Sequence, residues 1–297
     1  MLVNGNRMKR TTNILMLVIL TIIFGCGQNA NKDVNSIKQN DSIPKTTSKN
    51  NISKEERQKQ IEEENRIDSL RLEIALNDAL KVAQTEFKTD NFKKEYEIQP
   101  DDSSYIIKIE VLIGKLFKGN QKYFLLRRQV PWATYLDLYK VKDDKTEKII
   151  EREQGGMTYI RDTIFDVNGD GHKDFLVHWY PSSGCCRRNI YNVYINQPEK
   201  GNFTQDYEFI NPTFSAKEKI IRGIEYGHPG EVGLYKYKWE GLQVDTIEFI
   251  YPNANKKGQF IKTKKGAYKP TEKEGVVLKA VPKEYQKIES YEWFANF

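Results

Sequence analysis

Apolar residues recur at helical spacing in the segment that begins near residue 53. Ser53 and Glu56 form a Ser-x-x-Glu capping box, which predicts that a helix begins there. Residues 54–66 are almost wholly charged or polar, whereas apolar residues farther on follow the helical period. These apolar residues are Ile67, Leu70, Ile74, Leu76, Leu80, Ala83 and Phe87. We therefore expect one or two helices up to about Thr89, within a helical segment over residues 53–100, with an exposed first half and a packed second half.

From Ser104 onward the spacing of apolar residues changes to two, which is typical of β-strands. Tyr, Ile, Val and Phe dominate these segments, and turn signals such as Lys118-Gly119-Asn120 separate them. The predicted strands are 104–117, 122–129, 134–141, 146–152, 158–165, 174–180, 190–196, 218–226, 233–239 and 242–251. Their even spacing predicts a mainly β domain over residues 101–297, built of antiparallel hairpins in an open barrel, a sandwich or a propeller-like stack. A short helix is expected in the tail from Pro282 to Phe297.

The first thirty residues have the layout of an export signal. Arg7, Lys9 and Arg10 precede an apolar run over 14–24, which is too short for the ~20 residues of a membrane-spanning helix. The run ends in Ile23-Phe24-Gly25-Cys26, and this tetrapeptide resembles the lipobox of bacterial lipoproteins. The resemblance implies removal of residues 1–25 and attachment of lipid to the thiol of Cys26. An ordinary cleaved signal or a short signal anchor is the alternative.

A lipid at Cys26 would hold the mature chain on a membrane, because two or three acyl chains bind durably where one is marginal. Residues 26–52 are rich in Asn, Lys, Ser and Thr, and this composition predicts a disordered tether. We expect a cell-envelope location, with the soluble domain in the periplasm or at the cell surface. Gly27 is not the Asp that retains some lipoproteins in the inner membrane, so the resemblance favours the outer membrane.

The charge balance argues against a nucleic-acid partner. The chain has 47 Lys and Arg residues against 41 Asp and Glu residues. Three of the basic residues lie in the signal, so 44 remain against 41 and the net charge falls to +3. Basic and acidic residues are interspersed, as on a solvated surface. The 12% of aromatic residues suits a β-rich domain.

One segment carries a pattern of oxygen ligands. Residues 166–174 have the form D-x-N-x-D-G-x-x-D, in which oxygen-bearing side chains at alternate positions converge when the loop curls. Ca²⁺ takes six to eight oxygen ligands at ~2.3–2.6 Å in loose geometry, and hard oxygen donors favour it over Zn²⁺. The predicted ligands are Asp166, Asn168, Asp170, Asp174 and the backbone carbonyl of His172. We expect one calcium ion with a structural role, and a metal-free turn rich in Asn and Asp is the alternative.

The flanks of this loop decide its type. Position twelve is Val177, where an EF-hand needs a bidentate Glu, and both flanks are predicted strands. A calcium loop between two strands resembles the FG-GAP or VCBS type of repeat. In propellers that motif recurs in each blade, whereas it occurs once here, so a full propeller is not expected.

A longer stretch, from Asp166 to Tyr251, resembles a group of periplasmic lipoproteins. The stretch combines one such loop, aromatic strands and the segment Tyr235-Lys236-Tyr237-Lys238-Trp239-Glu240-Gly241-Leu242. Some members of that group are immunity proteins that inhibit peptidoglycan hydrolases. The resemblance implies calcium ligands at the four matching side chains, and it makes an envelope protein or a peptidoglycan hydrolase a candidate partner. The inhibitory role does not carry over, because no inhibitory loop can be placed in this chain.

Cys185 and Cys186 are adjacent in a segment that joins two predicted strands. The envelope permits disulfides, and adjacent cysteines can close a small strained ring that stiffens a turn. A rigid turn or two reduced thiols is favoured over a redox or metal role, because no C-x-x-C spacing is present. The neighbouring Arg187 and Arg188 could bind a carboxylate or phosphate, although such a pair is more often solvated surface.

No G-x-S-x-G, H-E-x-x-H or P-loop motif occurs, and the sequence favours a non-catalytic role. The first hypothesis is a protein- or glycan-binding or inhibitor module with an exposed aromatic surface that includes Trp179, Tyr180 or Trp239. The second is a hydrolase of cell-wall or extracellular polymer, which needs two carboxylates facing each other across a cleft. A structural envelope component is the third.

Overall fold

The computed structural model describes residues 53–101, 103–117, 119–143 and 145–295. The predicted signal over 1–25, the tether over 26–52 and the lipidation residue Cys26 lie outside the described residues. Within the described ranges, no helix combines the length and the apolar character needed to cross a membrane.

The first element is a helix of 33 residues, α1 (Lys54–Glu86). The capping box is present, since the Glu56 N–H donates to Ser53 Oγ and the Ser53 N–H donates to the Glu56 carboxylate. As predicted, the first half is exposed and the second half packs. The buried stripe consists of Ala75, Ala79 and Ala83, and their small side chains let the helix approach the sheet closely.

Two details of this region differ from the prediction. Leu70 and Ile74 follow the helical period but are exposed, because the alanine stripe is the one that faces the sheet. The helix ends at Glu86, close to the expected end at about Thr89, but the rest of the helical segment predicted over 53–100 contains a strand. Residues 91–98 form the first strand, in which Phe92, Tyr96 and Ile98 lie at even spacing and pack against the core.

Seventeen strands follow in the described part of the chain, and all their pairings are antiparallel. Five form the first sheet, in the order of the chain: β1 (Asn91–Ile98), β2 (Ile107–Gly114), β3 (Lys122–Gln129), β4 (Ala133–Lys142) and β5 (Lys145–Gly155). The second sheet has the order β11-β8-β7-β6, and a short ribbon of β9 and β10 lies between β8 and β11 in the chain. These strands are β6 (Tyr159–Phe165), β7 (Asp174–Trp179), β8 (Ile190–Tyr194), β9 (Asn196–Gln197), β10 (Asn202–Phe203) and β11 (Tyr207–Ile210).

The third sheet contains the remaining six strands in the order of the chain. They are β12 (Pro212–Ser215), β13 (Ile220–Ile224), β14 (Leu234–Glu240), β15 (Gln243–Pro252), β16 (Phe260–Thr263) and β17 (Val276–Leu278). The C-terminal segment holds a 3-10 turn (Lys283–Tyr285) and a short helix, α2 (Tyr291–Ala295). The expectation of a short helix in the tail therefore agrees with the structure.

Apolar side chains fill the space between successive layers. Helix α1 covers one face of the first sheet, where Ile109 and Phe124 are buried. The other face packs on the second sheet through Leu125, Leu138 and Phe175. The remaining interfaces join the second sheet to the third, and the third to the C-terminal segment. The fold is thus mainly β, a sandwich-like stack of open antiparallel sheets behind an N-terminal helix, as the sequence predicted.

Candidate functional site

The D-x-N-x-D-G-x-x-D segment is the connection between β6 and β7. Phe165 and Asp174, which flank the loop, are register partners in the ladder. The loop is therefore anchored at both ends by strands, which is the context that distinguishes it from an EF-hand.

Glycines allow the loop to curl around Asp166. The N–H groups of Gly169 and Gly171 donate to the two carboxylate oxygens of Asp166 at 2.7 and 2.9 Å. Both glycines have positive φ, 73° and 86°, a region that L-residues with a Cβ avoid. Gly169 has no room for a side chain either, because a Cβ there would lie 2.1 Å from the carbonyl oxygen of Ala216.

The middle of the loop is closed by Asn168 and Asp170. The Asp170 N–H donates to Asn168 Oδ1 at 3.1 Å, and the His172 N–H donates to Asp170 Oδ1 at 2.7 Å. The Asn168 amide also donates to Asp170 Oδ2 at 3.0 Å. Each of these side chains thus holds the backbone two residues farther on, which is the Asx-turn pattern.

Asp174 is fully buried and joins the loop to the sheet. Its oxygens accept from the N–H groups of Val167 and Asn196, each at 2.9 Å. Burial raises the pKa of Asp174 to about 7, and the neighbouring carboxylates of Asp170 and Asp166 add to that increase. The two N–H donors act in the opposite direction because they favour the ionised form.

The donor set fits calcium by its chemistry, since three carboxylates and one amide oxygen lie in nine residues of one curled loop. A cation would favour the ionised form of Asp174 and offset the repulsion from Asp166 and Asp170. However, no group of three or more His, Cys, Asp or Glu side chains within the described ranges is arranged as a metal cluster. Calcium binding therefore stays a prediction.

A second unusual loop, from Pro181 to Asn189, follows β7 and contains the cysteine pair. Cys185 and Cys186 are joined by a disulfide. Cys186 and Arg187 both have positive φ, 72° and 52°, so the loop is held in a left-handed conformation that non-glycine residues rarely adopt. The Cys186 carbonyl accepts from the Gly227 N–H at 3.0 Å, which ties this loop to the connection between β13 and β14.

The two arginines after the disulfide make structural contacts. Arg187 Nε donates to Ser290 Oγ at 2.8 Å, and its guanidinium lies 3.4 Å from the carboxylate of Glu292. The Arg188 guanidinium lies over the ring of Tyr226, 4.6 Å from its centroid. These arginines, for which the sequence left anion binding as the alternative to solvated surface, are half-buried and connect the disulfide loop to other segments.

The three aromatic residues predicted to form a binding surface do not lie together on the surface. Trp239 is 1% exposed and packs between the second and third sheets against Tyr207 and Phe209, so its expected exposure is wrong. Trp179 is half-buried, and its indole N–H donates to Asn192 Oδ1 at 2.6 Å. Tyr180 is half-buried beside the β5–β6 turn, where its N–H donates to the Thr158 carbonyl at 2.8 Å.

Sequence reasoning missed a group of exposed apolar residues at the turns of the first two sheets, which we call the apolar end. It consists of Ile106, Trp132, Met157 and Ile160. Trp132 is 42% exposed and Met157 is 88% exposed. The β3–β4 and β5–β6 turns are tied together, because the Gly156 N–H donates to the Trp132 carbonyl at 2.6 Å. Trp132 and Met157 fall between predicted strands, and large apolar residues at such turn positions were the available signal.

Two open grooves, of about 670 and 490 Å³, lie beside the apolar end and share Lys108 and Gln129 in their linings. Both Glu110 and Asp162 line the larger groove and pair with Arg127. The Arg127–Asp162 contact is bidentate, at 2.7 and 2.5 Å, which is the strong geometry for this pair. Their carboxylates are therefore engaged in a structural ion-pair network.

No protein-family model, curated protein or solved structure matches this chain.

Proposed function

We propose that this protein is a lipid-anchored component of the cell envelope that binds a partner protein without catalysing a reaction. The observation that carries the proposal is the apolar end. Four large apolar side chains from separate turns or strand ends are exposed at adjoining ends of the first two sheets. Apolar residues scattered singly need no explanation, whereas a group of them at one end of a domain is typical of an interaction site.

The chemistry of the apolar end suits a protein partner. Trp and Met are enriched in the cores of protein interfaces, where an aromatic anchor surrounded by flexible apolar groups excludes water. Tyr105 supports the Trp132 ring from its edge, with 4.8 Å between the ring centroids. The hydroxyl of Tyr105 in turn donates to Asp68 of α1 at 2.8 Å, so Trp132 rests on a fixed neighbour. A pre-positioned aromatic residue loses little entropy on binding.

The paired carboxylates of the larger groove support a binding role over hydrolysis. A hydrolase of wall polymer needs one free acid and one free base or nucleophile. Glu110 and Asp162 instead both pair with Arg127, so these two carboxylates do not face each other freely across the groove.

We assign a structural role to calcium within this proposal. Asp166, Asn168, Asp170 and Asp174 would hold the ion, which would supply positive charge at the centre of the loop and stiffen the β6–β7 connection. Strand β6, which leads into this loop, starts at the apolar end. Ile160 belongs both to β6 and to the apolar end.

Site-specific photo-crosslinking tests the binding role. A photoreactive amino acid at Trp132 or Met157 should capture one specific envelope protein in living cells. The same amino acid at Leu242, an exposed apolar position in the β14–β15 turn, is the matched control and should not capture that protein. With the partner purified, we expect Trp132→Ala to weaken binding about 30-fold, as for an interface anchor, and Leu242→Ala to leave it unchanged. Equal capture of that protein from position 242 and from position 132 or 157 would refute the proposal.

The anchor is tested separately by mass spectrometry of the mature N-terminus. We expect residue 26 to be the first residue and its thiol to carry a diacylglyceryl group. A mature chain that retains residues 1–25, or a free thiol at Cys26, would remove the anchor from the proposal while leaving the binding surface untouched.

A further inference from the structure

Positive charge is concentrated in one segment near the C-terminus. Residues 256–279 contain eight Lys, two Glu and no Arg or Asp, so this segment has a net charge of +6. The whole chain has the same net charge of +6. Basic residues are therefore segregated here, in contrast to the interspersed pattern that holds over the rest of the chain.

The fold places this segment along one margin of the third sheet. It comprises the β15–β16 turn, β16, the long β16–β17 loop and β17. β17 is the last strand of its sheet, so only one of its two edges is paired. Two lysines of the segment flank the strands closely, since Lys264 follows β16 and Lys279 follows β17.

Most of these lysines are not neutralised by the protein itself. Lys256 pairs with Glu272, Lys262 with Glu248, and Lys269 with Glu231. The other five are exposed and form no ion pair with any side chain in the described part of the chain. We call these five residues the basic edge: Lys257, Lys264, Lys265, Lys273 and Lys279.

Exposed apolar groups lie in the same segment, next to two of its paired lysines. Tyr268, in the β16–β17 loop, is 81% exposed, and Val276, in β17, is 60% exposed. Val276 is the register partner of Lys262, so the apolar and basic groups are neighbours on the sheet. The Lys269 ammonium lies 5.3 Å from the centroid of the Tyr268 ring.

We infer that the basic edge is a docking surface for the anionic headgroups of a phospholipid bilayer. Each Lys near an anionic membrane surface contributes on the order of 1 kcal/mol of attraction. A tyrosine ring prefers the interface between headgroups and acyl chains, because one end of the ring is apolar and the other is polar. A soluble polyanion would use the lysines alone, whereas a bilayer interface also accommodates Tyr268 and Val276.

This inference goes beyond the apolar end and does not depend on it. It also does not depend on lipid at Cys26, since the attraction arises from residues of the folded domain. In a lipid-anchored chain the basic edge would be a second contact with the same membrane. This contact would strengthen membrane binding, because it becomes intramolecular once the anchor is inserted, and it would orient the domain.

Lysine footprinting on the full chain tests the inference. The chain is mixed with vesicles of phosphatidylcholine alone, or of phosphatidylcholine and phosphatidylglycerol in equal parts, and treated with an amine-acylating reagent under single-hit conditions. Mass spectrometry then gives the reactivity of each lysine. We expect Lys264, Lys265 and Lys279 to be protected from acylation only when the vesicles are anionic. This protection should be lost in concentrated salt. Lys59 and Lys81, exposed on α1, are the internal controls and should react equally in both samples.

A triple variant gives a second measurement. Lys264→Gln, Lys265→Gln and Lys279→Gln together should lower the ratio of anionic to neutral vesicle affinity roughly 100-fold, at about fivefold for each lysine. The ratio cancels whatever the N-terminal segment contributes to both affinities. A variant with Lys54→Gln, Lys59→Gln and Lys81→Gln on α1 is the matched control and should retain the wild-type ratio. Equal reactivity on both vesicle types, or protection by inorganic polyphosphate without protection by vesicles, would overturn the inference.

Discussion

The two loops at the ends of strand β7 are closed in opposite ways. The loop before β7 is held mainly by its own side chains, since Asp166, Asn168 and Asp170 accept hydrogen bonds from backbone groups of the same loop. The loop after β7 is held by distant segments through Cys186 and Arg187, which contact Gly227 and Ser290. A locally closed loop keeps its shape wherever the fold places it, whereas the disulfide loop depends on the packing of the C-terminal segment.

Asp174 joins the local loop to Asn196 of β9 through a buried hydrogen bond, and its loss should have the largest effect. Asp174→Ala would leave the N–H groups of Val167 and Asn196 buried without an acceptor, at a cost of about 2–6 kcal/mol in the free energy of unfolding. Asp174→Asn keeps the shape and one acceptor oxygen and should cost less. Urea unfolding measures both. A loss under 1 kcal/mol for the alanine variant would mean that the loop does not need this contact.

The next largest loss of stability is expected at Gly169, where the local loop contacts the β12–β13 turn. Gly169→Ala would combine a positive φ with a clash against the Ala216 carbonyl, and we expect a loss of about 3 kcal/mol. Gly241→Ala is the matched control, because Gly241 has a φ of 62° and open space around its Cβ position. It should cost only about 1 kcal/mol. Similar losses at the two glycines would show that conformation alone, and not the contact with Ala216, restricts residue 169.

Calcium should stabilise the first loop and leave the second unaffected. With a dissociation constant of ~10⁻⁴–10⁻³ M, as in extracellular modules, about 10 mM calcium should raise the free energy of unfolding by about 1.4–2.7 kcal/mol. Thermal unfolding with calcium and with a chelator measures the difference. Asp166→Asn combined with Asp170→Asn should abolish it. Identical unfolding with and without calcium in the wild-type chain would favour a loop closed by hydrogen bonds alone.

Removal of the disulfide should have the smallest effect. A bond between adjacent residues closes almost no chain, so it removes little entropy from the unfolded state. We therefore expect Cys185→Ser with Cys186→Ser to cost under about 1 kcal/mol, with faster hydrogen exchange at the Gly227 amide. Unchanged exchange there would show that distant contacts fix the loop without help from the disulfide. A loss above about 2 kcal/mol would show that the disulfide itself maintains the third-sheet contacts.

The contrast between local and distant contacts also explains which elements could be predicted from the sequence. Local signals were sufficient to predict the capping box at Ser53 and the strand Lys122–Gln129, whose first and last residues were both predicted correctly. The strand Asn91–Ile98 was missed because its charged residues obscured the period of two. Strands of two to four residues, such as Phe260–Thr263, are too short to show a period at all.

Errors at the candidate site came from tertiary packing. The alternation of Tyr235 and Tyr237 with lysines already indicated one apolar face, and Trp239 lies on that face between two sheets. The sequence alone could not show that this face would be covered. In the same way, Tyr105 and Trp132 are distant in sequence, and their rings meet only because the turns of the first sheet lie side by side.

The first half of α1 has a mechanical consequence. Every residue from Ser53 to Arg66 is exposed, so this stretch is a rod that meets the folded body only farther along. A helix advances ~1.5 Å and turns about 100° with each residue, so inserting a single amino acid into the rod would lengthen it and rotate its first residues relative to the packed half of α1. The length of this polar stretch can therefore change without altering any buried side chain.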